Sequence, residues 1–331
     1  MSEWQDKRIV VTGAGGFIGS HLVERLVKEG ASVKAFVHYN SRSDWGNIEY
    51  LDDEILEKVE VTAGDLTDPF CVEKTLEGSE IVFHLGALIA IPYSYVAPWQ
   101  FAHTNVQGTV NVLEACRKHR VERIVHTSTS EVYGTALYTP IDEKHPLQAQ
   151  SPYSASKIGA DKIAESYYRS YDLPISIIRP FNTFGPRQSA RAVIPTIISQ
   201  GMKSSEIKLG ALDPIRDLTY VADTVEGFLA IARARKALGE VVNVGSGKGI
   251  RIKDLAYLIL DRMGKRSVTI VSEKQRQRPE RSEVYELVCD NSKARSLCNW
   301  EPKIRLGEGL EKTIEWFGRD EAHLKSNIYN I

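Results

Sequence analysis

The chain has no excess of either charge. Its 42 Lys and Arg stand against 43 Asp and Glu, giving a net charge of −1 at pH 7. A protein whose main partner is nucleic acid needs a basic surplus to displace counterions from phosphate, so that class is excluded. One small anionic ligand is not. Cysteine is scarce: Cys71, Cys116, Cys289 and Cys298 are scattered, with no CxxC pair. They read as reduced thiols, neither a disulfide framework nor a zinc site. His84, His103 and His126 form no HxH or HxxxH pair, so no metal centre is expected. The longest apolar stretch, 81–92, includes His84 and is too short to cross a bilayer, which argues against a membrane partner. Residues 1–8 are polar and lead straight into a strand pattern, with no leader signature. A cytoplasmic location is the expectation. No internal repeat and no low-complexity segment is present.

What is present has the composition of an ordinary globular protein: 42% hydrophobic and 26% charged residues in a chain of 331. β-Branched or apolar runs at 7–12, 33–38, 59–63, 81–85, 123–128 and 175–179 read as strands. Between them, 17–29, 104–119 and 154–171 carry apolar residues at helical spacing, and Gly30 closes the first of these helices. This alternation predicts an α/β fold built on a doubly wound parallel sheet. After Pro180 the rhythm changes, with prolines and glycines at Gly185-Pro186, Pro195, Gly210 and Pro214. A helix over 219–235 and a strand over 241–244 are expected to return to the main sheet. Segments 253–263, 268–271 and 291–297 are expected in a smaller α/β C-terminal lobe. The division is therefore 1–180 plus about 219–248 for the main unit, and 181–218 plus 249–331 for the lobe.

Gly13-x-x-Gly16-x-x-Gly19 lies between the first strand and the first helix, where a dinucleotide pyrophosphate would sit. Small residues admit the phosphates, and the helix N-terminus, with Phe17 and Ile18, favours their charge. A ligand-free tight turn is the alternative. At the end of the second strand, where an acid would meet the ribose of NAD, the chain reads Val37-His38-Tyr39-Asn40-Ser41-Arg42. Arg42 or His38 could meet the 2′-phosphate of NADP, or Arg42 could be a solvated cation; both NAD and NADP remain open. Asp65-Leu66, after the third strand, is placed to meet adenine, or Asp65 simply caps a turn.

Tyr153 and Lys157 are i and i+4 on one helix, hence neighbours. An adjacent ammonium and a positive nicotinamide ring would both favour phenolate, drawing the tyrosine from about 10 toward neutrality and making it a base. Thr129-Ser130-Glu131 follows the fifth strand, adding a hydroxyl and a carboxylate. A hydride acceptor, a tyrosine base and an extra carboxylate suit oxidation of an alcohol followed by elimination beside the new ketone. Glu131 as a plain surface carboxylate is the competing reading.

Together the glycine loop, Tyr153/Lys157 and the Ser/Thr group on the fifth strand resemble the extended short-chain dehydrogenase/reductase superfamily, with its Rossmann sheet. Within it the chain resembles the nucleotide-sugar 4,6-dehydratases. The stretches 87–95 (ALIAIPYSY), 126–134 (HTSTSEVYG) and 179–187 (RPFNTFGPR) resemble the branch associated with legionaminic-acid and related amino-sugar synthesis. The resemblance runs from Arg8 to Phe317. It implies that Thr129 bonds the sugar 4-hydroxyl, that Tyr153 takes its proton, and that Glu131 removes the C5 proton so that the C6 hydroxyl leaves as water. It also implies a tightly bound, recycled cofactor. Dehydratases of the deoxythymidine-diphosphoglucose type carry Asp where this chain has Ser130. A serine is a poor acid, so Glu131 is expected to serve as base and then as proton donor, with Ser130 orienting it.

For the substrate, Asn182 resembles the superfamily's sugar-nucleotide asparagine. Arg187, Arg216 and Arg278 offer guanidinium forks suited to a diphosphate, though each could equally be an ion-pair partner. Ile194, followed by Pro195, is a candidate for packing on the nucleobase, and Asn105 resembles a helix asparagine near the active site. The helices 104–119 and 154–171 are apolar on more than one side; in the family such helices pair across a two-fold axis, so a homodimer is expected. UDP-N-acetylglucosamine is the first substrate expectation and GDP-N-acetylglucosamine the second. The rivals are a nucleotide-sugar 4-epimerase and a catalytically silent dinucleotide sensor.

Overall fold

The computed structural model describes residues 2–319; the last twelve positions assigned to the lobe lie outside the described residues. Seven strands form one parallel sheet: β1 (Arg8–Thr12), β2 (Ser32–His38), β3 (Val59–Gly64), β4 (Ile81–His84), β5 (Arg123–Thr127), β6 (Ile175–Pro180) and, later in the chain, Val241–Val244. Their spatial order runs from that last strand through β6, β5, β4, β1 and β2 to β3. This is the expected doubly wound α/β sheet. Strand order reverses between β1 and β4, and such a reversal opens a crevice at the strands' carboxyl ends.

Helices cover both faces. Phe17–Lys28 and Val221–Arg233 pack together on one side, while Pro69–Leu76, Gly108–His119 and Pro152–Tyr171 pack on the other. Each face has its own apolar cluster, one containing Val11, Phe83 and Phe228, the other Val10, Val82 and Leu113. β6 is buried at every position, as an interior parallel strand must be.

Two expectations shift at their edges. The helix expected from 104 begins as a π-helical turn, His103–Gln107, and becomes α-helical at Gly108. The wider turn seats the buried Asn105 carboxamide, which bonds Leu88 N (2.8 Å), Leu88 O (2.9 Å) and Ser156 Oγ (2.9 Å). The helix expected from 219 begins at Val221, because Thr219 and Tyr220 end a strand.

That strand belongs to a second sheet that sequence patterning did not reveal. β7 (Asn182–Phe184) and β9 (Ile215–Tyr220) run parallel. β9 also pairs with β11 (Gly249–Arg251) and β13 (Glu286–Leu287). β8 (Glu206–Leu209) pairs with β12 (Thr269–Ser272), and Val241–Val244 is β10. The buried Asp217 carboxylate ties these parts together. It accepts from Ser246 N (2.8 Å), Gly247 N (2.8 Å) and Cys289 N (3.1 Å).

Candidate active site

The glycine loop leaves β1 at the strand-order reversal. Gly13 sits at φ 69°, and a side chain there would meet Gly86 N at 2.7 Å, so the turns after β1 and β4 must both be bare. A side chain on Gly19 would fall on the Gly13 carbonyl oxygen. Gly16 is the N-cap of Phe17–Lys28 and provides no side-chain cap, so the first-turn N–H groups have no side-chain acceptor. A bare cradle ending in uncapped amides fits a dinucleotide pyrophosphate. Gly13, Gly16, Phe17, Ile18 and Gly19 would hold it. His38 ends β2 and Arg42 follows it, both exposed, in a turn where Asn40 Oδ1 accepts from Arg42 N (3.0 Å) and Asp44 N (3.2 Å). Asp65 closes a local turn, accepting from Thr67 N and Oγ1, both at 2.8 Å. Leu66 lies against Gly86, and its carbonyl accepts from Asn111 Nδ2 (2.8 Å).

The second cluster stands at the ends of β5 and of the helix Pro152–Tyr171. Ser151 and Ser154 form a reciprocal capping box and Pro152 occupies the first turn, which fixes where the helix starts and so where Tyr153 points. Thr129 is extended and caps the short turn Ser130–Tyr133, its hydroxyl accepting from Glu131 N at 3.2 Å. The same hydroxyl neighbours the Tyr153 phenol and favours its ionised form. Thr129, Ser130, Glu131, Tyr153 and Lys157 are thus brought together.

Burial pushes the Tyr153 phenol up, opposed by the Thr129 hydroxyl and reinforced by Glu131 and Asp161, so the protein alone does not draw it toward neutrality. Lys157 Nζ donates to the Thr127 carbonyl at 2.6 Å. Burial lowers this ammonium to about 8, and Asp161, one turn further along the helix, opposes the fall.

Asp161 is a residue that sequence reasoning missed. Fully buried, it accepts from Ser128 Oγ (2.6 Å) and Arg179 Nη2 (2.9 Å), and faces His126 Nε2 at 3.4 Å. Arg179 in turn bonds the Tyr133 hydroxyl at 3.0 Å. The His126 and His84 rings lie 5.4 Å apart, tilted by 38°, both held below the ordinary imidazole value chiefly by burial. No group of metal-binding side chains occurs among the described residues.

A profile of the family described as "GDP-mannose 4,6 dehydratase" matches residues 10–313. The chain belongs to this dehydratase family. Among its relatives, a putative UDP-glucose 4-epimerase of Methanocaldococcus jannaschii is 33% identical over 93% of this chain and 97% of its own. The dTDP-D-glucose 4,6-dehydratase of Homo sapiens is 30% identical over 97% and 93%. A dTDP-glucose 4,6-dehydratase of Streptomyces venezuelae, solved as a double mutant with NAD bound, superposes with a TM-score of 0.86 at 27% identity, covering 95% of this chain and 98% of that one. The chain is an enzyme of this dehydratase family, and the neighbour's bound NAD supports a nicotinamide cofactor.

On the substrate side, the dehydratase-family chain gathers some of its candidates and disperses others. Arg278 Nη1 donates to Glu131 Oε2 at 3.3 Å, and Arg216 Nη2 lies 3.6 Å from Glu283. Asn182 opens β7, and its buried carboxamide oxygen has no hydrogen-bond partner, an acceptor free for a ligand. Arg187 is not brought to the other arginines. It packs on the first helix, Nη2 bonding Glu24 at 2.5 Å. Ile194 is buried in the apolar core. No helix among the described residues is long and apolar enough to cross a membrane.

Proposed function

We propose that this chain is a nucleotide-sugar 4,6-dehydratase, with UDP-N-acetylglucosamine as the first substrate and GDP-N-acetylglucosamine as the second. The observation that carries the reading is the buried Glu131 carboxylate, set beside the Thr129–Tyr153 hydroxyl pair at the end of β5. Bound along the glycine loop, a nicotinamide dinucleotide supplies the place where a hydride is parked and later recovered. Thr129 and Tyr153 hold the sugar 4-hydroxyl, and Tyr153 takes its proton. Lys157 fixes the helix to Thr127 and keeps positive charge near the phenol. With a ketone at C4, the C5 proton becomes acidic. Glu131, oriented by Ser130, removes it and returns it to the departing C6 hydroxyl, which leaves as water; C6 recovers the parked hydride and C5 regains a proton, balancing the one Tyr153 took from the 4-hydroxyl. Arg216 and Arg278 take the diphosphate, and Asn182 reaches the sugar nucleotide.

The finer features are inferences on the same footing. NADP is favoured over NAD because no acid stands at the end of β2, from Val37 to Arg42, and Arg42 is exposed there. Retention and recycling of the cofactor follow from a reaction with no net oxidation. The legionaminic-acid type rests on the resemblance of 87–95, 126–134 and 179–187. A homodimer is supported by exposed Val96 and Trp99 beside the π-helical turn. The M. jannaschii relative favours a 4-epimerase as second reading, but an epimerase has no use for a carboxylate at C5.

Product masses after incubation with each nucleotide sugar test the proposal: loss of one water supports it, and unchanged mass with a new C4 configuration means epimerase. Glu131→Gln is expected to retain cofactor reduction by substrate, seen as nicotinamide absorbance, while water loss falls by about 10²–10⁴-fold. Normal turnover in that variant refutes the role.

A further inference from the structure

Glu131 and Arg278 are 147 positions apart in the chain, yet they share an ion pair. Glu131 follows β5, whereas Arg278 lies on the connection from β12 to β13. The pair places the base assigned to C5 in direct contact with a guanidinium assigned to the diphosphate. This inference rests on that reading of the pocket.

The cluster is larger than one pair. Arg216 faces Glu283 and also feels Glu131 and Arg278: burial pushes its guanidinium down, Arg278 pushes the same way, and the two glutamates oppose them. Two guanidinium charges are balanced by two carboxylates within one pocket. The Arg278–Glu131 contact is single and 3.3 Å long, outside the ~2.7–2.9 Å of a strong charge-assisted bond. A diphosphate offers the same fork several oxygens and at least two charges, so it is the better partner. The backbone near Arg278 is anchored. Ser282 Oγ donates to the Gln150 carbonyl and receives the Tyr95 hydroxyl at 2.5 Å. A change of partner is therefore a side-chain swing and not a departure of the segment.

We propose that Glu131 and the substrate diphosphate compete for Arg278, so that seating the diphosphate releases the Glu131 carboxylate toward the sugar. Arg278 is then a positioning residue as well as a binding one. Proton removal at C5 waits until the nucleotide end is in place, and a sugar lacking the diphosphate leaves Glu131 held.

The competition is read in binding, without catalysis. The cofactor-loaded enzyme is titrated calorimetrically with UDP, GDP and dTDP, none of which carries a hexose on its diphosphate. Glu131→Gln removes the competing charge and is expected to tighten binding about twofold to fivefold, the worth of one partly exposed charged pair. Glu131→Ala should do the same. Structural damage weakens binding and does not tighten it. In an Arg278→Gln background the gain is expected to vanish. Unchanged or weaker binding by both Glu131 variants, with their thermal midpoints intact, overturns the competition. So does an equal gain in the Arg278→Gln background, which would mean plain charge repulsion. If none of the three nucleotides binds the wild-type enzyme, the diphosphosugar reading itself fails and takes this inference with it.

Discussion

Replacing Asp161 with Asn removes one charge from a side chain that no solvent reaches. The shape survives, and so does an oxygen able to accept from Ser128. What is lost is the counter-charge of Arg179, itself only 2% exposed. Breaking a buried pair from one side costs about 3–5 kcal/mol, because the remaining ion has neither water nor partner. Against a typical stability of about 5–15 kcal/mol this is a large loss. At about 2 °C per kcal/mol for a chain of this size, the thermal midpoint should fall about 6–10 °C. Calorimetry or circular dichroism reads that directly. The double variant Asp161→Asn/Arg179→Met removes both ions and should recover most of the loss, giving a coupling energy of opposite sign to the single effect.

The pH dependence has a definite sign. Although burial alone would raise it, the Asp161 carboxyl sits at about 2, held there by His126, Arg179 and Ser128. A depressed acid contributes stability that is full above its unfolded value of about 3.9 and is lost as pH falls from there through about 2. The gap between wild type and variant should therefore be the same at pH 7 and pH 5, and narrow only below about pH 4. Lys157 adds a kinetic readout. Asp161 is what holds that ammonium up at about 8, so the alkaline limb of kcat should move downward in the variant. A midpoint fall under about 2 °C with an unmoved alkaline limb would refute the reasoning.

Other perturbations test separate parts of the molecule. Cofactor released from denatured protein and identified by mass should be NADP; NAD alone would remove the role given to Arg42 and His38. Gly19→Ala, whose new methyl meets the Gly13 carbonyl, should yield protein that loses its cofactor on gel filtration while remaining folded by circular dichroism. Light scattering at micromolar concentration should give twice the chain mass, and a monomer would remove the dimer.

The main sheet was legible because its strands are long β-branched runs and its helices keep a 3.6-residue period. The site was legible where its parts are local: the glycine loop, the Tyr153/Lys157 spacing and the Thr129–Glu131 strand end. The second sheet was not, since β7, β11 and β13 span two or three residues each and the charged Arg216 and Asp217 interrupt the apolar pattern of β9. Contacts between distant positions were equally invisible. Nothing in spacing pairs Arg278 with Glu131, or turns Arg187 toward Glu24. Asp161 did leave a signal: an acid one turn beyond Lys157 on the same helix, and an arginine inside the apolar run of β6, each requiring a partner. Sequence shows the ammonium one turn from Tyr153 but not the depth of burial that opposes its ionisation.

The Asp217 carboxylate has a consequence for motion. By gathering amides from the turn after β10 and from the segment after β13, it welds the second sheet to the edge of the first. A welded joint does not hinge. Amides of Ser246, Gly247 and Cys289 should then exchange with solvent slowly and as one cooperative group. Release of product would then depend on side-chain motion within the pocket, such as a swing of the Arg278 guanidinium, and not on rotation of the lobe against the main sheet.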